Sequence, residues 1–572
     1  MKIKYFIKQV LTIAVGFFIA LLALCFIVIF GILKLTTNDA RQVESNSVVT
    51  FNMGGRLVEW MPVSLFGSQK GVIDFKVAKR AIQQAAKDSR ISAIYLDCSY
   101  LDAGWASLEE IREALLAFKQ QGKTIIAYGD GYTQKSYYLA SVADEIILNP
   151  SGFLAFQGFA VTVNFYTKFF ENVSVKPVIF RIGACKDAVE PYCLTKMSEE
   201  SSAQRKVCLE SLYAHFLTKI GGARNIEVSA LQTYARNLSA VLPNDALGAG
   251  LITRIGYASD AKKLLKEKLK SPAFINHKEY SVVETPPDSL DKIAVLVAEG
   301  AIIDGSSSAG YVGAHEFVKT LKAIQEDNAI KALVLRINSP GGSVVASDII
   351  WKAIEELKSV KPVVASMSNV AASGGYYIAA PCHYIFAQPT TITGSIGIYG
   401  LLFDFTELMH KIGIHSDVVK TAPSADCLAP RVALSELESN LMCKLLQSSY
   451  ADFLRKVANG RGLDLACVEK LAGGRVYTGV AAKSNGLVDE LGGLDAAIVK
   501  AAALAKLTQK YGICYLPRPK TKLEQLRSYA HNGVKMELLD GLAQAYPILN
   551  HYRTLSKPYA VQAMLPYAMD TN

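Results

Sequence analysis

The chain has 572 residues, too many for one hydrophobic core, so two or more domains are expected. Hydrophobic residues make up 51% and charged residues 20%, which excludes a disordered or fibrous chain. The net charge of +10 is spread thinly, clustering only at Lys262-Lys263 and from Arg518 to Lys522, so nucleic acid is not an expected partner.

In chain order, the first feature is Leu11 to Leu33, 23 residues with no charge and one hydroxyl, Thr12. At about 1.5 Å per residue a helix of this length reaches about 34 Å, enough to cross a bilayer. Lys2, Lys4 and Lys8 precede it, against Lys34 and Arg41 just after, so the short N-terminus is expected to stay cytoplasmic. A cleaved signal peptide would have a shorter apolar region ending in a small-x-small site, and Lys34-Leu-Thr-Thr-Asn-Asp-Ala40 offers none. Residues 1–46 are therefore expected to be a cytoplasmic N-terminus and an uncleaved single-pass anchor, holding the body outside the cytoplasm.

From about residue 91 to residue 430 the chain matches itself at a fixed offset of 239. Ala93, Leu96, Ile111 and Ala114 correspond to Ala332, Leu335, Ile350 and Ala353, and Tyr137-Tyr138 to Tyr376-Tyr377. Ile146, Pro150, Gly158 and Pro191 match Ile385, Pro389, Gly397 and Pro430, after which the register drifts by two or three residues. The chain is a tandem duplication. Each copy alternates apolar strands with helix-length segments, which predicts a layered α/β fold. In the second copy the strands are Ile293 to Val297, Ala332 to Ile337 and Pro362 to Met367, with helices near Ala346 to Leu357 and Ser435 to Ala458. The first repeat spans 47–285 and the second 286–510, joined through Glu284-Thr-Pro-Pro-Asp-Ser289. Residues 511–572 fall outside the repeat, and a peripheral helical tail of unknown role is expected there.

The duplication allows one half to be read against the other. Ser373, where an apolar strand turns into a short helix before Pro381, corresponds to Gln134. The loop Asn338-Ser-Pro-Gly341-Gly342-Ser343 corresponds to Ser99-Tyr-Leu-Asp102-Ala103-Gly104, so the first half lacks the paired glycines. Conversely, Lys186 corresponds to Ala425. One half keeps a serine, the other a lysine.

Ser-Pro-Gly-Gly-Ser343, Ala-Ser373-Gly-Gly-Tyr-Tyr, Thr393-Gly-Ser395-Ile-Gly and Gly474-Arg-Val-Tyr-Thr-Gly479 resemble the signal peptide peptidase A (protease IV) family, in its long, duplicated, membrane-anchored form. The resemblance covers roughly residues 45 to 505. It implies a fold related to the Clp protease and crotonase superfamily, and a serine protease with a Ser-Lys dyad. By position, Ser373 matches the nucleophile, Lys186 the general base, and Ser395 a serine that orients the lysine. It further implies peptide substrates such as cleaved signal peptides and a ring-shaped homotetramer with an apolar-lined cavity. It places the protein in the bacterial inner membrane, with no metal, nucleotide or organic cofactor.

The chemistry agrees independently. A serine hydroxyl needs a base near neutral pH, and lysine serves only when burial keeps it neutral. Ile182-Gly-Ala-Cys-Lys186 is apolar enough for that, although Asp187 and Glu190 would oppose it if they pointed inward. Amide hydrolysis also needs oxyanion donors, for which the N–H groups of Gly341, Gly342 and Gly374 are the candidates. Three alternatives stay open: His383 as base, a crotonase-like acyl-CoA enzyme, and an inactive peptide-binding scaffold. The ten cysteines show no C-x-x-C pattern and no metal-binding cluster.

Overall fold

A computed structural model describes residues 12, 15–20, 22–23, 26, 43–60, 71–280, 291–307, 310–427, 434–517 and 561–564. Of the expected anchor, 12, 15–20, 22–23 and 26 are helical and exposed; the rest of it, and the linker Glu284 to Ser289, lie outside the described residues. Among the described residues no helix is long and apolar enough to cross a membrane.

The two halves build the same parallel sheet. In the first the strand order is Phe274–Asn276, Ser47–Asn52, Ile91–Asp97, Thr124–Gly129, Glu145–Leu148 and Arg254–Ile255. The second runs Gly512–Leu516, Lys292–Glu299, Ile330–Ser339, Val363–Ala372, Tyr384–Ala387 and Glu490–Leu491, and adds Ile392–Gly394 on the far end of Val363–Ala372 and, antiparallel to it, Val476–Thr478. Central strands such as Ala-Leu-Val-Leu within Ile330–Ser339 are buried on both faces, as continuous apolar runs covered by helices should be. The long helices Glu199–Arg224 and Glu436–Arg461 also correspond. Each has 26 residues and starts at a serine, Ser198 or Ser435, whose side chain accepts a backbone N–H of the first turn. Gly512–Leu516 pairs in parallel with Lys292–Glu299, so the repeat runs past residue 510. The described parts of 511–572 are strands, not the helix expected there, because both find unfilled sheet edges to pair with.

A second, smaller sheet differs between the copies. In the first it has three strands, Val72–Asp74, Gly55–Val58 and Leu101–Asp102. In the second, Tyr311–Gly313, Ala301–Ile303 and Gly341–Ser343 (the glycine strand) continue into Val561–Met564, Ile398–Asp404 (the bridging strand) and Lys176–Ile182 (the lysine strand). The lysine strand belongs to the first half. It pairs antiparallel with the bridging strand over seven positions, from Ile182 opposite Ile398 to Lys176 opposite Asp404.

A buried ionic cluster also joins the halves. Arg336, fully buried in the second half, donates to both carboxylate oxygens of Glu59 at 3.0 and 2.8 Å. It lies 2.7 Å from Glu110, which Lys79 meets at 2.6 Å. Two cations and two anions balance, so no buried charge is left alone. Burial opposes ionisation of Glu110, but Arg336 and Lys79 outweigh it and hold the carboxyl at about 2.

Candidate active site

The strand Val363–Ala372 delivers Ser373 to the start of the helix Gly374–Ala379. Ser373 has φ 55° and ψ −114°, a conformation rarely taken by a residue with a Cβ. Its N–H donates to Gly394 O at 2.7 Å, which pins the turn. Two residues on, a Cβ on Gly375 would lie 2.6 Å from Ser339 O, so glycine is needed for the serine turn to touch the glycine loop.

Lys186 arrives from the other half, at the end of the lysine strand. Its Nζ lies 2.7 Å from Ser373 Oγ, 2.9 Å from Ser395 Oγ and 3.0 Å from Ser395 O. The two meet within one chain. Lys186 is 1% exposed, and burial pushes its amine down to about 7, against the opposing pull of Asp187. Asp187 turns away to Arg205 at 2.8 Å and accepts from Ser201 Oγ at 2.6 Å. Glu190 is tied to Ser198, whose Oγ donates to it at 2.5 Å. Neither acid reaches the lysine amine.

Apart from Ser395, the cradle around Lys186 comes from glycines that the sequence reading did not single out. A Cβ on Gly474 would lie 2.5 Å from Lys186 N, and one on Gly397 would lie 3.3 Å from Lys186 Cδ. Gly183 packs its backbone against Gly473 just as closely, and Cys185 N donates to Gly473 O at 3.0 Å. Ser395, at φ 51°, is held by its N–H on Arg475 O at 2.6 Å. Recurrent glycine is the signal that could have drawn attention to this loop.

Of the oxyanion candidates, Gly374 opens the helix after Ser373, and Gly342 lies in the glycine strand opposite Ile302. Gly341 N donates to Ser339 Oγ at 3.2 Å, so that group is engaged. His383 is not a base for this serine. It flanks the far end of the serine strand, where Nδ1 accepts from Val363 N at 3.1 Å. Ten residues of strand place it about 30 Å from Ser373.

The corresponding places in the opposite halves are closed or open to solvent. Gln134 fills the serine's position, its amide donating to Gly158 O at 2.8 Å and accepting from Gly158 N at 3.1 Å. Ala425, the counterpart of Lys186, lies on an exposed turn.

The peptidase family S49 matches residues 117–271 and again 355–508, once in each half, and the Clp protease family matches residues 288–392. The chain belongs to peptidase family S49. Protease 4 of Salmonella typhi is 35% identical over 501 residues, covering 85% of this chain and 78% of that protein. The chloroplastic serine protease SPPA of Arabidopsis thaliana is 33% identical over 504 residues, covering 85% and 74%. A putative signal peptide peptidase SppA of Enterococcus faecium is 36% identical over 229 residues, covering 39% of this chain and 67% of that protein. This S49 chain is thus a serine peptidase on a duplicated Clp-like α/β fold.

Proposed function

We propose that the protein is a membrane-anchored serine endopeptidase in which Ser373 is the nucleophile and Lys186 the general base. The observation that carries this reading is the 2.7 Å approach of a fully buried lysine amine to the Ser373 hydroxyl. A neutral amine has two N–H bonds and one lone pair. Ser395 O and Ser395 Oγ accept the two N–H bonds, which turns the lone pair toward the Ser373 proton. The hydroxyl then gives its proton to Lys186 Nζ as Oγ attacks the substrate carbonyl. Backbone N–H groups at Gly374 and Gly342 receive the oxyanion. The lysine ammonium returns the proton to the departing amine, and water releases the acyl group by the same exchange.

The substrates in this reading are apolar peptides, cleaved signal peptides among them, met in the bacterial cell envelope. The relative called a putative signal peptide peptidase supports that choice. The uncharged run Leu11 to Leu33 supports an inner-membrane anchor, with the body on the extracytoplasmic side; the assembly in this reading, four chains in a ring, rests on the family resemblance alone. A fluorophosphonate probe tests the chemistry: it should label wild-type protein at Ser373, with labelling lost in Ser373→Ala and strongly slowed in Lys186→Ala. Labelling at another serine, or normal labelling without the lysine, would overturn the dyad.

A further inference from the structure

The turn that presents Lys186 carries an acid directly beside it. Asp187 follows the lysine in the chain and is buried with it, and its pull at the amine favours the charged lysine. A base must be neutral, so this neighbour works against the chemistry. Arg205 answers it. Its Nη2 donates to Asp187 Oδ2 at 2.8 Å, and the same oxygen accepts from Ser201 Oγ at 2.6 Å. Arg205 Nε also donates to Ser201 Oγ at 3.1 Å, which closes a triangle in which Asp187 and Arg205 are each 3% exposed.

Two observations tie this triangle to the lysine. The first is the duplication. Seven residues on from the corresponding helix-start serines, Ser198 and Ser435, stand Arg205 in the first half and Met442 in the second. Asp187 has a counterpart in Asp426, but that carboxylate pairs with Lys420 beside the exposed turn that holds Ala425. The buried pair is present where the lysine is and missing where the lysine is missing. The second observation is the helix Glu199–Arg224 itself. Gln204, next to Arg205, accepts the N–H of Val476 at 3.2 Å, and Ser211 meets Thr478 at 3.3 Å. Val476–Thr478 pairs with Ile392–Gly394, whose last carbonyl pins Ser373, and Arg475 O holds Ser395. One helix thus grips both the lysine turn and the loop that orients it.

We propose that Arg205 is a positioning residue for Lys186: it holds the Asp187 carboxylate away from the amine and cancels its charge, so that the amine can take the Ser373 proton. The inference rests on the Ser373–Lys186 reading above. The other charged groups around the turn are engaged or exposed. Glu190 is held by Ser198 and lies 3.7 Å from Arg181, while Glu200 and Arg475 are exposed. Burial pushes up the Cys185 thiol and the Tyr399 and Tyr477 phenols, which keeps them neutral. Ser373 and Ser395 present hydroxyls alone. The two members of the pair therefore act on the base with opposite sign. Without the carboxylate, the remaining guanidinium repels a lysine proton; without the guanidinium, the carboxylate attracts one.

The pH dependence of fluorophosphonate labelling at Ser373 tests this, because labelling needs the neutral base and its midpoint does not depend on the fraction of protein folded. Asp187→Asn should move the midpoint down by at least about half a pH unit, and Arg205→Gln should move it up by at least as much. The double variant should return to within about a quarter of a pH unit of wild type, and so should Arg205→Lys, which keeps the charge. Hydrolysis of an uncharged peptide at fixed pH should follow through kcat, with KM changing less than about twofold. If Arg205→Gln does not fold, Asp187→Asn, a change of nearly equal volume, decides by itself: its midpoint must fall. Midpoints that stay in place, or that move the same way in both single variants, would overturn the inference while leaving the dyad intact. Labelling of Lys186→Ala at the wild-type rate and midpoint would instead remove the base, and the inference with it.

Discussion

Lys186 and Ser373 are 187 positions apart in the chain and 2.7 Å apart in space. One pairing makes that possible: the lysine strand leaves its own half and docks on the bridging strand of the other. Seven antiparallel positions fix where the strand ends, and the Gly473–Gly474 loop fixes where the side chain goes.

If the two residues act as one unit, removing either should cost nearly all activity. Ser373→Ala and Lys186→Ala should each lower kcat by about 10⁴ or more, and the double variant should be little worse than either. Gln134→Ser should restore nothing, because its half lacks both the lysine contact and the paired glycines. Steady-state cleavage of an uncharged peptide reads all four.

If Lys186 is the base, activity should rise with pH through a midpoint near 7, since a lysine base must be neutral and burial places this amine at about 7. The same shift has a stability sign. Between about 7 and the ordinary lysine value near 10.4 the unfolded chain binds a proton that the folded chain does not, so stability rises with pH across that window. Below it the buried amine costs stability. Lys186→Met should therefore raise the unfolding midpoint at pH 7 while abolishing catalysis. A lower midpoint than wild type at pH 7 would contradict this.

In the proposed mechanism Ser395 positions the lysine rather than reacting. Ser395→Ala removes one of the two acceptors that turn the Lys186 lone pair toward Ser373. It should lower kcat about 10–100-fold with little change in KM, the signature of misplacement rather than lost binding. An effect on KM alone would contradict that role.

Gly474→Ala places a methyl group 2.5 Å from Lys186 N at a position with φ +85°. It should cost about 1–3 kcal/mol of stability and displace the lysine, with loss of peptidase activity. Denaturant unfolding and peptide hydrolysis on the same preparation would show both.

Arg336→Met should be the most destabilising single change proposed. It strands Glu59 inside the seam and leaves Glu110 with Lys79 alone, a loss of about 3–5 kcal/mol. In wild type the contribution from Glu110 is present above the ordinary carboxyl range. It should fade as pH falls from about 4.3 toward 2, where that carboxyl titrates in the fold. Urea unfolding at pH 7 and at pH 3 checks both statements.

Much of this was legible in the sequence, for identifiable reasons. The offset of 239 survives because buried residues such as Tyr137 and Tyr376 occupy equivalent core positions and tolerate little change. It located Lys186 by showing what Ala425 had lost. The strand exchange was not legible. Lys176–Ile182 reads as an ordinary apolar strand, and nothing local records a partner more than 200 residues away. Arg336 was missed for the same reason: a lone arginine in a strand looks exposed until Glu59 and Glu110 arrive from the other half. The strand Val561–Met564 was not legible because it has no edge to pair with until the glycine and bridging strands stand side by side.

The strand exchange also sets a timetable. During synthesis the lysine emerges 187 residues before the serine, which at about 5–20 residues per second is a delay of about 10–40 s. Until the second half has been made, the lysine strand has no bridging strand to dock on and the serine does not yet exist. If Ser373 and Lys186 are the reacting pair, a ribosome carries this protease as a harmless chain, and a message cut short anywhere before residue 373 yields a protein that cannot attack its neighbours. The last described strand to leave the ribosome, Val561–Met564, is the one that joins the glycine strand to the bridging strand.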